Sequence, residues 1–119
     1  MALTNLEKYK EKYKDFSSKI NSLENFLASY SGKSNPIAFS IDQFSQVLHT
    51  PPTETIFLLS LAEKENLVQK KYEVWADDES NTLGEFESKN DIPDLIYDPY
   101  TSKEIKRDNF YIVIVFEIK

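Results

Sequence analysis

Few residues in this chain are of a type that does chemistry. His49 is the only histidine. It falls in a turn between two helical segments, where a surface or turn-stabilising imidazole is the ordinary occupant, and no nucleophile is spaced to pair with it. Asp77, Asp78, Glu79 and Asp98 are oxygen donors of the kind Ca²⁺ or Mg²⁺ takes. They lack the ordered loop spacing of a calcium motif, and a solvated acidic turn accounts for them without a metal. There is no Cys, which excludes disulfides, thiolate zinc sites and Cys nucleophiles. Gly32 and Gly84 are the only glycines, too few for a P-loop, a dinucleotide-binding loop or a nucleophile elbow. The expectation is a protein that is not an enzyme and needs no cofactor or metal.

Charge and length narrow the partners. Twenty acidic against 14 basic side chains give a net charge of −6, which phosphate backbones repel unless the cations gather on one face. The lysines at 8, 10, 12, 14 and 19 alternate with Glu7, Glu11 and Asp15, the pattern of a solvated face. Nucleic acid is therefore a disfavoured partner. The first residues turn charged at once, unlike a secretory leader, and no window is apolar enough to span a bilayer. These features lead to the expectation of a cytoplasmic protein with no membrane partner. A chain of 119 residues fits one domain with an appended helix.

Periodicity supplies the elements. Leu6, Tyr9, Tyr13, Phe16, Ile20, Leu23, Leu27 and Tyr30 recur three and four apart, a heptad seam that predicts one long helix from 4 to 30. Thr4 and Glu7 have capping-box spacing at its start, and Gly32 suits its end. The seam is the candidate partner-binding or self-association surface, although it can also serve as a lid on the chain's own core. Its aromatics suit an asymmetric groove better than a simple dimeric coil. Residues 33 to 39 read as a linker. Ser40 caps a short helix to Leu48 whose apolar side is Ile41, Phe44, Val47 and Leu48. Thr50 and Pro51 open a second helix to about Asn66, with Ile56, Phe57, Leu58, Leu59, Leu61 and Ala62 inward. Strands follow at 67–75 and 82–87, then a hairpin over 95–105 and a last strand over 109–119. That last strand is apolar on both faces and therefore central or covered. The expected class is α+β: an amphipathic helix over 1–32, then a winged helix-turn-helix with a β wing over 40–119.

From Ser40 onward the chain resembles bacterial winged-helix domains whose wing is a zinc ribbon. The resemblance rests on "LLSLAEKENLVQKKYEVW", "LGEFES", "DIPDLIYDPYTSKEI" and the terminal "YIVIVFEIK". Such modules carry a C-x2-C knuckle after the first wing strand and another after the Asp-Ile-Pro loop. Laid onto this sequence the knuckles fall at Ala76 and Glu79, and at Asp98 and Thr101. Residues 80 to 97 lie between them, a spacing inside the range of paired knuckles. The ligands are gone, since these four side chains cannot form a tetrahedral thiolate cage. The resemblance implies a metal-free ribbon, with Trp75, Tyr97 and Tyr100 placed to fill the vacated space. It also implies an accessory or adaptor subunit of a bacterial conflict or antiphage system. The other reading is a DNA-binding regulator. Its recognition helix would start with Pro51, Pro52 and Glu54, where a major-groove reader wants Arg, Lys, Asn or Gln.

Overall fold

The N-terminal heptads do not form one rod. In the computed structural model, which describes residues 6–32, 34–35, 37–76 and 82–119, α1 spans Glu7–Lys12 and α2 spans Ser17–Tyr30. A single 3₁₀ turn, Lys14–Phe16, joins them after Tyr13 leaves helical geometry at φ −120°, ψ 70°. The chain doubles back here. Lys10 Nζ lies 2.5 Å from the Glu24 carboxylate, whereas in a straight helix these residues would be roughly 21 Å apart. Asp15, Ser17 and Ser18 are weak helix formers, so the break forfeits little intrinsic propensity. The predicted cap, Thr4, lies outside the described residues. Ser31 ends α2 and Gly32 follows at φ +76°, the left-handed conformation glycine adopts freely.

The expected linker holds a strand, β1 (Ile37–Ser40). Ser40 then caps α3 (Ile41–Leu48). Gln43 N–H donates to Ser40 Oγ and Ser40 N–H donates to Gln43 Oε1, which closes a capping box. His49 turns the chain at φ 51°. Thr50 does not cap the next helix. Its hydroxyl donates to the Leu48 carbonyl at 2.9 Å and Ser45 Oγ donates to the Thr50 carbonyl, so it ties the turn together. Helix α4 spans Pro52–Lys64 with Pro51 as its N-cap. Phe44 and Leu48 of α3 and Thr55, Leu58, Leu59, Leu61 and Ala62 of α4 are buried. Val47 and Ile56, expected inward, are exposed.

The strands are β2 (Val68–Ala76), β3 (Thr82–Phe86), β4 (Leu95–Asp98), β5 (Lys103–Lys106) and β6 (Phe110–Ile118). Four share a sheet in the order β1-β6-β2-β3, which places β6 in the interior, as its two apolar faces require. β2 and β3 are antiparallel, with a bulge where Trp75 pairs Thr82. β4 and β5 form a separate antiparallel pair. The architecture is α+β.

Two compact units divide the chain: residues 1–69 with 116–119, and residues 70–115. The division falls within β2 and β6, and residues 32–40 lie inside the first unit. In that unit Leu6, Ile20, Leu23, Leu27, Phe44, Leu58 and Leu59 are fully buried. Phe26, Tyr30, Phe39 and Phe44 form a ring cluster with centroids 5.1–5.7 Å apart, extended by Phe116. The second unit is built on Val74, Ile92, Ile96 and Phe110, flanked by Tyr72, Leu83, Phe86, Ile105 and Ile112.

Candidate functional site

The seam residues have two fates inside the first unit. Leu6, Ile20, Leu23 and Leu27 are at most 1% exposed, so the chain's own packing occupies them. Tyr9, Tyr13, Phe16 and Tyr30 are half-buried. Tyr13 meets the Phe57 ring edge-on at 5.0 Å, and Phe16 lies 5.2 Å from the same ring. Tyr9 stacks on Tyr13 at 6.3 Å and donates its hydroxyl to Glu65 Oε2 at 2.7 Å. Phe26, off the heptad register, joins the ring cluster, and only its aromatic character gave a sign of that in sequence.

Polar contacts fasten α1 to its neighbours. Lys8 Nζ donates to Glu65 Oε1 at 3.2 Å, beside the Tyr9 bond to the same carboxylate. Accepting from the Tyr9 hydroxyl and from Lys8 holds the Glu65 carboxyl below its ordinary pKa, and the same bond to Glu65 pushes the Tyr9 phenol above its own. Lys10 binds Glu24 at 2.5 Å and Glu7 at 2.6 Å, and these two carboxylates raise its pKa, Glu24 first. Lys19 is drawn to the C-terminus of α3, where its ammonium donates to the carbonyls of Leu48 and His49 at 3.1 and 2.9 Å. Several lysines of the expected solvated face therefore have fixed partners. His49 is exposed and enters this network through its backbone.

The knuckle positions belong to the second unit, apart from Glu79, which with Asp77 and Asp78 lies outside the described residues. Ala76, Asp98 and Thr101 line one open depression of about 650 Å³, together with Lys103, Glu104, Ile105 and Asn109. Asp98 is 1% exposed, and its carboxylate closes the β4–β5 turn: Oδ1 accepts from Tyr100 N–H at 2.9 Å and Oδ2 from the Thr101 hydroxyl at 3.1 Å. Among the described residues no three His, Cys, Asp or Glu are grouped to hold a metal ion. Of the rings expected beside the vacated positions, the two tyrosines are turned largely to solvent. Tyr97 and Tyr100 are 59% and 72% exposed, and Trp75 is half-buried with Nε1 donating to Glu73 at 3.2 Å.

This hairpin turns apolar side chains outward. Burial alternates along β4, with Ile96 and Asp98 inside and Leu95 and Tyr97 outside. Cross-strand register places Lys106 beside Leu95 and Glu104 beside Tyr97, so the outer face is an apolar pair with charged neighbours. Among the described residues no helix is long and apolar enough to cross a membrane. No protein-family model matches the chain, and neither a search of curated proteins nor one of solved structures finds a match.

Proposed function

We propose that this protein is a non-catalytic interaction module, an adaptor subunit that holds another protein. The carrying observation is the outer face of the β4–β5 hairpin. Leu95 is 48% exposed and Tyr97 59%, while the charged Asp98 of the same strand is turned inward. A strand that buries its carboxylate while leaving two apolar side chains, Leu95 and Tyr97, outside is arranged for a contact beyond its own core. Tyrosine beside charged residues is the usual make-up of an interface, with an amphipathic ring at the centre and ions at the rim. The partner surface is apolar and flanked by both signs of charge, to meet Lys106 and Glu104. In the setting that the sequence resemblance implies, the adaptor serves a bacterial antiphage system.

The finer fold reading, a winged helix with a metal-free ribbon as its wing, has two supports. The order β1-β6-β2 within the sheet, together with α2, α3 and α4, supports the winged-helix reading. Ala76, Asp98 and Thr101, from both knuckles, border one depression. The same topology makes a DNA-binding regulator the second reading, with α4 as recognition helix, but the N-terminal residues of α4 include no Arg, Lys, Asn or Gln.

A photo-reactive residue at position 97, introduced in the source cell, tests the adaptor reading. A single protein should be captured, and it should bind the purified chain and lose affinity at least about tenfold with Leu95→Asp/Tyr97→Ser, the loss of one central contact. Unchanged binding by the double variant, or capture identical to that from an exposed position on α2, refutes it.

A further inference from the structure

The first unit contains a short helix held by few polar contacts. α1 has six residues, too few to hold helical structure in isolation, so it is helical only because it docks. Its attachment is small and well defined: the buried Leu6, the Tyr9 and Lys8 contacts to Glu65, and the Lys10 ion pair with Glu24. The turn that folds it back, Tyr13 to Phe16, contains neither Gly nor Pro, and across it the heptad spacing runs on unbroken from Tyr9 to Ile20. Nothing in the covalent chain therefore forbids a straight helix. Extending α2 backward through the turn joins it to the helical residues of α1, adds i→i−4 hydrogen bonds only across the break, and needs no new nucleus, because α2 already supplies one. What opposes straightening is the loss of the α1 docking contacts, and a second copy of the chain offers the same contacts.

We propose that this protein forms a reciprocal dimer in which the Tyr13–Phe16 turn straightens and α1 of each chain docks on α2 and α4 of the other. The docking contacts of Leu6, Lys8, Tyr9 and Lys10 are kept and only their chain of origin changes, while the hinge gives up its own packing of Tyr13 and Phe16 on Phe57, which leaves exchange an inexpensive route to a dimer. The occupant of the vacated site is a second copy, because that site already fits Leu6, Tyr9, Lys8 and Lys10 of this sequence. The inference does not depend on the adaptor reading, since the exchange surface lies on α1, α2 and α4 and the proposed adaptor face lies on β4 and β5.

The wild-type chain reports on itself. Lys10 and Glu24 are close enough for zero-length carbodiimide coupling. Isotope-labelled and unlabelled chains are mixed, concentrated and separated by size exclusion with light scattering, and the coupled peptides are analysed by mass spectrometry. In the dimer fraction about half of the Lys10–Glu24 links should join a labelled to an unlabelled peptide, as random pairing of exchanged arms requires. The dimer should grow with protein concentration and grow further in Lys14→Ala/Asp15→Ala, which favours the straight helix. It should vanish in Lys14→Pro, because proline is tolerated at the first position of the 3₁₀ turn but not inside a continuous helix. Failure of the wild type and the alanine pair to dimerise at any concentration overturns the proposal. A dimer whose links never mix isotopes overturns it as well, showing association without exchange.

Discussion

Single side chains set how firmly α1 is held, and their titration gives that hold a pH dependence. Glu65 titrates below the ordinary carboxylate range in the folded chain, because Tyr9 and Lys8 donate to its charged form. Its contribution is complete above the unfolded carboxyl pKa and is lost as pH falls through the lower, folded value. Tyr9 and Lys10 are shifted upward, so their contributions are complete below their unfolded values and are lost as pH rises through the folded ones. Amide protection of residues 7 to 12 should therefore be greatest at neutral pH and fall on both sides. Glu65→Gln should remove most of the acid limb, and an acid limb of unchanged size would show that Glu65 does not hold α1. In the second unit the Asp98 carboxylate holds its turn through two accepted hydrogen bonds. Asp98→Ala leaves the Tyr100 amide without its acceptor and the Thr101 hydroxyl without a partner. Thermal melts should show a loss of about 1–3 kcal/mol, with Asp98→Asn in between.

At the scale of elements, the local signals that carried information were those that require one geometry. Ser40 specified the start of α3, and the two apolar faces of Phe110 to Ile118 specified an interior strand. The heptads marked the buried Leu6, Ile20, Leu23 and Leu27 but missed Glu24 and Phe26, and they were silent about continuity, because a stripe of apolar residues looks alike on a rod and on two segments folded together. The fold-back depends on Lys10 meeting Glu24, a contact between elements that no local pattern encodes. β1 was hidden by its length, since four residues beside Pro36 carry too little alternation to stand out from a linker. The inward Asp98 and outward Tyr97 were unreadable because they reverse the usual sorting by polarity. Since Leu27 is completely buried within its own unit, Leu27→Ala should cost about 2–5 kcal/mol in chemical denaturation whether or not any partner is present. A variant as stable as wild type in isolation, but deficient in association, would instead make this part of the seam an interface.

At the scale of the whole molecule, charge separates the adaptor reading from the regulator. Binding to duplex DNA requires cations that can release counterions from phosphates, and the chain carries 14 basic against 20 acidic side chains. Three cations of the N-terminal segment are already engaged: Lys8 with Glu65, Lys10 with Glu24 and Glu7, and Lys19 with the carbonyls that end α3. The start of α4 presents exposed Pro51, Pro52 and Thr53, followed by Glu54, so a groove would receive a negative charge where a guanidinium is wanted. Each phosphate contact contributes a slope of about 0.9 in log affinity against log salt, so a protein whose acidic side chains outnumber its basic ones binds weakly and with a shallow salt dependence. Band shifts with random and genomic duplexes should therefore show no retained complex at about 0.15 M salt, near the physiological screening length. Any binding at lower salt should be weak and indifferent to sequence. Tight binding that steepens with falling salt and weakens with Thr53→Glu would reverse this conclusion, making α4 a recognition helix and the protein a regulator.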